Sequence, residues 1–336
     1  MCIQKGPDFR DHKPGLFGDH VQHMGEFLSH VGHPFDAVLI AGPTASGKSA
    51  AALALAGTLG GIVVNADSMQ VYREVCILSA RPSDEDMARA PHLLYGHVGA
   101  AEHYSVGRYQ TDAVAALAEA RALGRLPIFV GGTGLYFAAL TEGLADIPTV
   151  PAAVRQEARE KMAMLGVAGL HAELARRDPE TAALLRPSDP QRVLRAYEVF
   201  EATGRSLSSW QREAGVPVLK SLRLAKFVLE LPRALLRERI ETRFQAMLAA
   251  GARAEAAALK GLDPTLPAAK ILGLRQLWAL DEGLISEADA VTAAVTATRQ
   301  FAKRQETWFR HRMAAWQRVA PADFGNIVSI LRQKSS

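Results

Sequence analysis

The chain has 336 residues, 49% of them hydrophobic and 22% charged, with a formal net charge of +4. This is the balance of an ordinary globular protein, long enough for one large domain or a core with an inserted lobe. No uninterrupted apolar run reaches the ~18 residues of a membrane-spanning helix, and two cysteines, Cys2 and Cys76, exclude a disulfide framework and suit a reducing cytoplasm.

Residues 1–36 carry His12, His20, His23, His30 and His33 among scattered Gly and Pro. Their spacings match no metal-ligand pattern and no cysteine joins them, so the segment reads as a poorly ordered tail. Met1 to Arg10 lacks the apolar stretch of a signal peptide. Met24 is an alternative physiological start, which N-terminal sequencing of the native protein decides.

From Ala37 strand and helix alternate. Ala37-Val38-Leu39-Ile40-Ala41 is an apolar strand, followed by Gly42-Pro43-Thr44-Ala45-Ser46-Gly47-Lys48-Ser49 and an alanine-rich helix over 49–59. Two glycines four residues apart, then Lys and a hydroxyl residue, between a strand and a helix, form a phosphate-binding loop. Glycines let backbone N–H groups and the helix N-terminus wrap an anion. Lys48 adds a point charge, and the Ser49 hydroxyl suits Mg²⁺. Such a loop first suggests a nucleotide such as ATP.

A second strand, Ile62 to Ala66, ends at Asp67-Ser68; a helix over 106–124 closes at Gly124; a third strand, Pro127 to Val130, ends at Gly131-Gly132-Thr133-Gly134. This alternation predicts an α/β fold: a P-loop NTPase-like parallel sheet flanked by helices, with ligands gathered at the carboxyl ends of the strands. Ile147 to Pro151 breaks the pattern, and 152–210 is helical throughout, an inserted lobe. A strand from Leu222 to Leu231 returns to the sheet, and helices follow at about 233–260, 270–282 and 286–316. The expected division is a tail over 1–36, a core over 37–146 and 221–316, a helical insertion over 147–220 and a C-terminal tail over 317–336.

Two readings fit Asp67: a general base or metal ligand beside the phosphate loop, or an N-cap for the turn that follows. Thr133 likewise sits in a turn whose glycines permit close approach to a ligand, or in a plain strand-to-helix turn. No carboxylate ends the strand over 127–130, which counts against a nucleotide-hydrolysing motor or switch. The stretch from Arg299 to Arg312 places Arg299, Lys303, Arg304, Arg310 and Arg312 against one acid, Glu306. Phe301, Trp308 and Phe309 are interleaved with them. Basic charge among rings suits RNA phosphates and unstacked bases, or a solvated helix whose rings join the core.

Five segments occur together in one order: Gly42–Ser49, Asp67-Ser68-Met69-Gln70-Val71-Tyr72, Gly131–Tyr136, Asp189-Pro190-Gln191-Arg192 and Ala302-Lys303-Arg304-Gln305. In this the chain, from about Val38 to Arg312, resembles the bacterial tRNA dimethylallyltransferases. Ser49 stands where many members have Thr, which keeps the hydroxyl. The resemblance implies dimethylallyl diphosphate as donor, Mg²⁺ as cofactor and, as acceptor, the exocyclic N6 amine of adenosine 37 beside the anticodon, in tRNAs reading codons that begin with U. It implies Asp67 as base, Thr133 near the reacting centre and Arg243 against the leaving group, with Gly42, Pro43, Thr44, Ala45, Ser46, Gly47, Lys48 and Ser49 around the diphosphate and Ser49 on the metal. It assigns to the anticodon stem-loop Asp67, Ser68, Met69, Gln70, Arg155, Gln191, Arg192, Val193, Leu194, Arg195, Lys270, Arg275, Lys303, Arg304 and Arg310. The expected protein is a cytoplasmic monomer without a membrane partner. The rival classes are a small-molecule P-loop kinase, a nucleic-acid-binding P-loop ATPase, and an adenylate isopentenyltransferase acting on free nucleotides.

Overall fold

The structure, a computed structural model, describes residues 34–213, 215–325 and 327. The histidine-rich segment up to His33 and the alternative start at Met24 lie outside the described residues. The chain forms two compact units: one comprises the described residues up to Phe137 and those from Leu219 on, the other Ala138–Val218.

In chain order the first unit contains β1 (Ala37–Ala41), α1 (Lys48–Leu59), β2 (Ile62–Asn65), α2 (Asp84–Arg89), β3 (His92–Leu93), α3 (Val106–Ala122) and β4 (Pro127–Gly131), followed by α4 (Gly134–Thr141). The second unit contains α5 (Ala152–Arg177), α6 (Pro179–Ala183), α7 (Pro190–Thr203) and α8 (Leu207–Arg212). The first unit resumes with β5 (Leu224–Leu229), α9 (Arg233–Ala249), α10 (Ala252–Ala258), α11 (Leu274–Asp281), α12 (Glu287–Arg312) and β6 (Gln317–Val319).

The six strands form one sheet in the order β3-β2-β4-β1-β5-β6, and every pairing is parallel. Every residue of β1 and β4 is buried, because a parallel sheet is covered on both faces. That is why these strands read as unbroken apolar runs rather than alternating ones. Val38 and Ile40 of β1 lie beside Ile128 and Val130 of β4, and with Leu55, Phe227 and Leu229 they form a core under the sheet. Seating β4 between β2 and β1 sets the three ligand-side loops next to one another.

Several boundaries differ from the expectation. Pro34 to Asp36, read as tail, are described: Phe35 packs on the core and the Asp36 carboxylate pairs with Arg223. The helix expected over 233–260 breaks at Gly251, whose φ of 102° no ordinary helix accommodates. The last helix stops at Arg312 rather than 316, because Arg318 donates to the carbonyls of Phe309 and Met313 and closes its end. The segment from 317, expected as a tail, opens with a strand on the edge of the sheet. Short β3, with intermediate burial, has no apolar run that would announce it.

In the second unit α5 bends at Gly166, and Leu170, Leu174, Val193, Tyr197 and Val199 make a core of its own. Asp189 accepts from the N–H of Arg192 and Pro190 occupies the first turn, so Asp189-Pro190 is a helix-start signal as well as a motif.

Candidate active site

The chain leaves β1 through the phosphate loop. Gly47 adopts φ 88° before α1, so the loop turns back and Lys48 Nζ lies 3.4 Å from the carbonyl of Pro43. Lys48 is buried, and burial pushes its pKa down to about 8; Asp67 opposes this and Arg243 adds to it. Arg243, on α9, donates to Thr44 Oγ1, and burial lowers its pKa too, with Asp67 again opposing. Arg239 lies one turn earlier on the same helix. It is exposed, and no ion-pair partner for it occurs among the described residues. These groups line one cavity with Ala45, Ser49, Asp67, Gln70, Ser79 and Ala80. Three cations thus face a single carboxylate across a small space, an arrangement that an anion relieves. The Ser46 hydroxyl is buried and without a hydrogen bond, and its backbone N–H donates to the Pro43 carbonyl at 3.2 Å.

Asn65, at the end of β2, fixes Asp67. Its Oδ1 accepts the Asp67 N–H at 2.8 Å, and its Nδ2 donates to the carbonyls of Asp67 at 2.9 Å and Leu94 at 3.0 Å. Asp67 Oδ1 accepts from the N–H of Met69 at 3.0 Å, so the turn-capping role is real. Oδ2 has no donor among the described residues and is the oxygen left to accept a proton. Thr133 Oγ1 accepts from the Ser68 N–H at 2.9 Å and donates to Ser68 Oγ at 3.2 Å, tying the β4 loop to the β2 loop beside Asp67.

The glycines of the third loop make room for other parts of the protein. A Cβ at Gly131 would lie 2.0 Å from the carbonyl oxygen of Ala66, and one at Gly132 would lie 2.2 Å from Gln305 Nε2. They are small because β2 and α12 approach there. Gln305 is buried on α12, accepts from the Thr44 N–H at 2.9 Å and donates to the Gly132 carbonyl at 2.8 Å, bridging the first and third loops. Sequence reasoning passed over Gln305, Asn65 and Arg239. Gln305 lay within a segment read for its basic charge, and nothing local distinguishes the other two. The buried amide of Gln70 donates to the carbonyls of Ser79 and Ala80, so this side chain holds the cavity wall.

The expected RNA-facing residues divide between the units. On α12, Lys303, Arg304 and Arg310 are exposed, whereas Arg299 pairs with Glu241 at 3.0 Å. Of the two readings of the rings, burial assigns Phe309 to the core, while Arg304 lies over Phe301 and Arg312 over Trp308. Lys270 and Arg275 are exposed. In the helical unit Gln191, Arg192 and Arg195 are exposed, but Val193 is completely buried and Leu194 packs on the same core, so neither apolar side chain presents itself to RNA. The motif there alternates contact and core positions because it is helical. Arg155 and Arg195 act with Arg159 on buried Glu198, whose pKa burial raises against all three.

Among the described residues no group of three His, Cys, Asp or Glu side chains forms a metal cage. Hard oxygen donors, the Ser49 hydroxyl and the Asp67 carboxylate, line the cavity with the cationic loop. That set fits Mg²⁺ held jointly with phosphate oxygens and water rather than by protein alone. No helix among the described residues is long and apolar enough to cross a membrane.

A parallel sheet with a phosphate loop at its carboxyl edge, one carboxylate opposite and no acid ending the middle strand defines a P-loop-type group transferase. A family model described as IPP transferase matches residues 70–312, and one described as isopentenyl transferase matches residues 35–94. The chain is 54% identical over 289 residues to a tRNA dimethylallyltransferase of Azorhizobium caulinodans, covering 85% of this chain and 92% of that protein. It is 53% identical to the same enzyme of Methylocella silvestris, covering 86% and 96%. Among solved structures it resembles the tRNA isopentenylpyrophosphate transferase of Bacillus halodurans, with TM-score 0.62, 31% identity and coverage of 89% and 96%. A eukaryotic dimethylallyltransferase acting on tRNA matches with TM-score 0.67, 27% identity and coverage of 81% and 69%. The chain belongs to the tRNA dimethylallyltransferase family of prenyltransferases.

Proposed function

We propose that this chain transfers the dimethylallyl group of dimethylallyl diphosphate to the exocyclic N6 amine of adenosine 37 in tRNAs reading codons that begin with U, releasing pyrophosphate, and that it does so as a cytoplasmic monomer. The observation that carries the reading is Asp67 facing Lys48, Arg243 and the phosphate loop across one cavity. An aryl amine is a poor nucleophile because its lone pair is delocalised into the ring, so it gains from a carboxylate that accepts its proton. The amine nitrogen bonds to C1 of the allyl group, the C1–O bond breaks, the electron pair leaves on pyrophosphate and the amine proton passes to Asp67 Oδ2. Loop N–H groups, Lys48 and Arg243 stabilise the charge that collects on the leaving group. The Ser49 hydroxyl and the Asp67 carboxylate would hold Mg²⁺ together with the diphosphate, and the ion would supply further positive charge to the leaving group. Thr133 keeps Asp67 aligned through Ser68.

The target base is unreachable while stacked, so it is flipped out towards Asp67. Lys303, Arg304, Arg310, Lys270 and Arg275, with Arg155, Gln191, Arg192 and Arg195 of the helical unit, hold the stem-loop through its phosphates. Incubation with labelled dimethylallyl diphosphate and unmodified tRNA tests the reading. Label in tRNA without ATP supports it; ATP-dependent phosphorylation of a small molecule, with no label in tRNA, sinks it. Competition by AMP separates the tRNA reading from transfer to free nucleotides.

Arg304→Ala is expected to weaken tRNA binding and reduce the slope of log K against log salt by about 1. An unchanged slope means that Arg304 does not meet a phosphate. Arg239→Ala is expected to weaken pyrophosphate binding about tenfold, the low end for a charged hydrogen bond because the guanidinium is exposed and screened. Titration of pyrophosphate by calorimetry measures this, and equal affinity in the variant removes Arg239 from the site.

A further inference from the structure

We infer that Glu255 is a positioning residue for this active site, acting through the segment 70–81; the inference rests on the transfer reaction proposed above. Glu255 lies on α10, outside the cavity. Its Oε2 accepts the N–H groups of Cys76 and Ile77, each at 2.8 Å, and its Oε1 accepts that of Leu78 at 2.9 Å. Three consecutive N–H groups converging on one point make an anion-binding nest, here filled by the protein's own carboxylate across some 180 residues of sequence.

The two residues that follow the nest, Ser79 and Ala80, form the cavity wall. Ala80 is held at φ 51°, a left-handed conformation that a residue other than glycine keeps only when its surroundings enforce it. Turn bonds from the Ala80 N–H to the Ile77 carbonyl at 2.9 Å and from the Arg81 N–H to the Cys76 carbonyl at 3.0 Å hold this conformation locally, and further contacts brace the turn from both sides. Glu255 fixes the preceding three N–H groups, and the Gln70 amide grips the Ser79 and Ala80 carbonyls at 3.0 and 2.8 Å. The Gln70 N–H in turn donates to the Asp67 carbonyl at 3.3 Å. Hydrogen bonds and the short covalent stretches between them therefore connect α10 to the backbone of the proposed base. Released from Glu255, the segment has three N–H groups to satisfy elsewhere and loses its brace on α10, so the whole turn shifts and takes the wall and Gln70 away from the donor.

The test uses the full chain with Glu255→Ala, Glu255→Asp and Glu255→Gln, assayed for transfer from dimethylallyl diphosphate to tRNA, with rates expressed per folded molecule. A misplacement near 1 Å remote from the chemistry costs about 10²-fold, so kcat/KM for the donor is expected to fall by that order in the alanine variant. The fall is smaller in Glu255→Asp, which keeps the charge, while tRNA affinity is unchanged. Hydrogen exchange is expected to quicken at 76–80 and not in the sheet. A carboxylate of purely structural value lowers the melting temperature yet leaves kcat and KM per folded molecule at wild-type values; that result overturns the inference. Should the alanine variant fail to fold, Glu255→Gln and Glu255→Asp carry the same comparison. Inactivity of the wild type would instead bring down the underlying reaction, leaving the two failures distinguishable.

Discussion

Asp67→Asn is expected to lower kcat by about 10²–10⁴-fold, the range for losing a positioned general base, with little change in tRNA affinity. Asparagine separates the two roles that the structure combines in this side chain. Its Oδ1 still accepts the Met69 N–H, so the turn survives, but it cannot take a proton from the attacking amine. Losing only a cap costs about 1 kcal/mol, roughly a sixfold effect on a folding equilibrium and too small to account for the kinetic loss. Asp67→Ala removes both functions and should therefore match Asp67→Asn in kcat while losing more stability. Steady-state kinetics beside thermal melts decide the matter. Near-normal turnover in Asp67→Asn would confine Asp67 to the turn, and the base would have to be sought elsewhere.

Lys48→Ala is expected to lower kcat by about 10²–10³-fold, the usual cost of removing one pre-organised group that faces developing charge. Its environment adds a pH signature. With a free-enzyme pKa near 8, the ammonium is present below that pH and lost above it. The kcat/KM for the donor should thus fall as pH rises through about 8. A bound diphosphate favours the charged form, so the corresponding limb in kcat should lie at higher pH. Stability moves the other way. Between about 8 and the ordinary lysine value of 10.5 the unfolded chain binds more protons than the folded one, so this residue's contribution to stability increases with pH across that window. Paired pH profiles of wild type and Lys48→Ala measure the effect, and an alkaline limb that persists unchanged in Lys48→Ala would assign it to another group.

The phosphate loop was legible in the sequence because its chemistry is local: glycine spacing, a lysine and a hydroxyl act within eight residues between one strand and one helix. Strands β1, β2 and β4 were legible for a related reason, since strands buried on both faces must be apolar without interruption. Less local features stay open in the sequence. The glycines over 131–134 fit either a ligand or a plain turn, and a Cβ at Gly131 or Gly132 would meet the Ala66 carbonyl or Gln305, partners 65 or more positions away in the chain. Val193 and Phe309 share a run with basic residues, which hides which of them face inward. Helical periodicity sends them to the core and their neighbours to the surface.

The sequence by itself determined that a loop of phosphate-binding pattern follows β1 and that Asp67 and Thr133 stand just past the ends of two apolar strand segments, because each of these follows from residue types in short order. Only the tertiary structure decided that β4 lies between β1 and β2, that Arg243 and Arg239 swing in from α9, that Gln305 bridges two loops from α12, and that Glu255 pins the wall from α10. Those placements depend on pairings across large sequence separations, which are selected by burial and by the satisfaction of buried polar groups in the whole fold. No residue's neighbours in the chain record them.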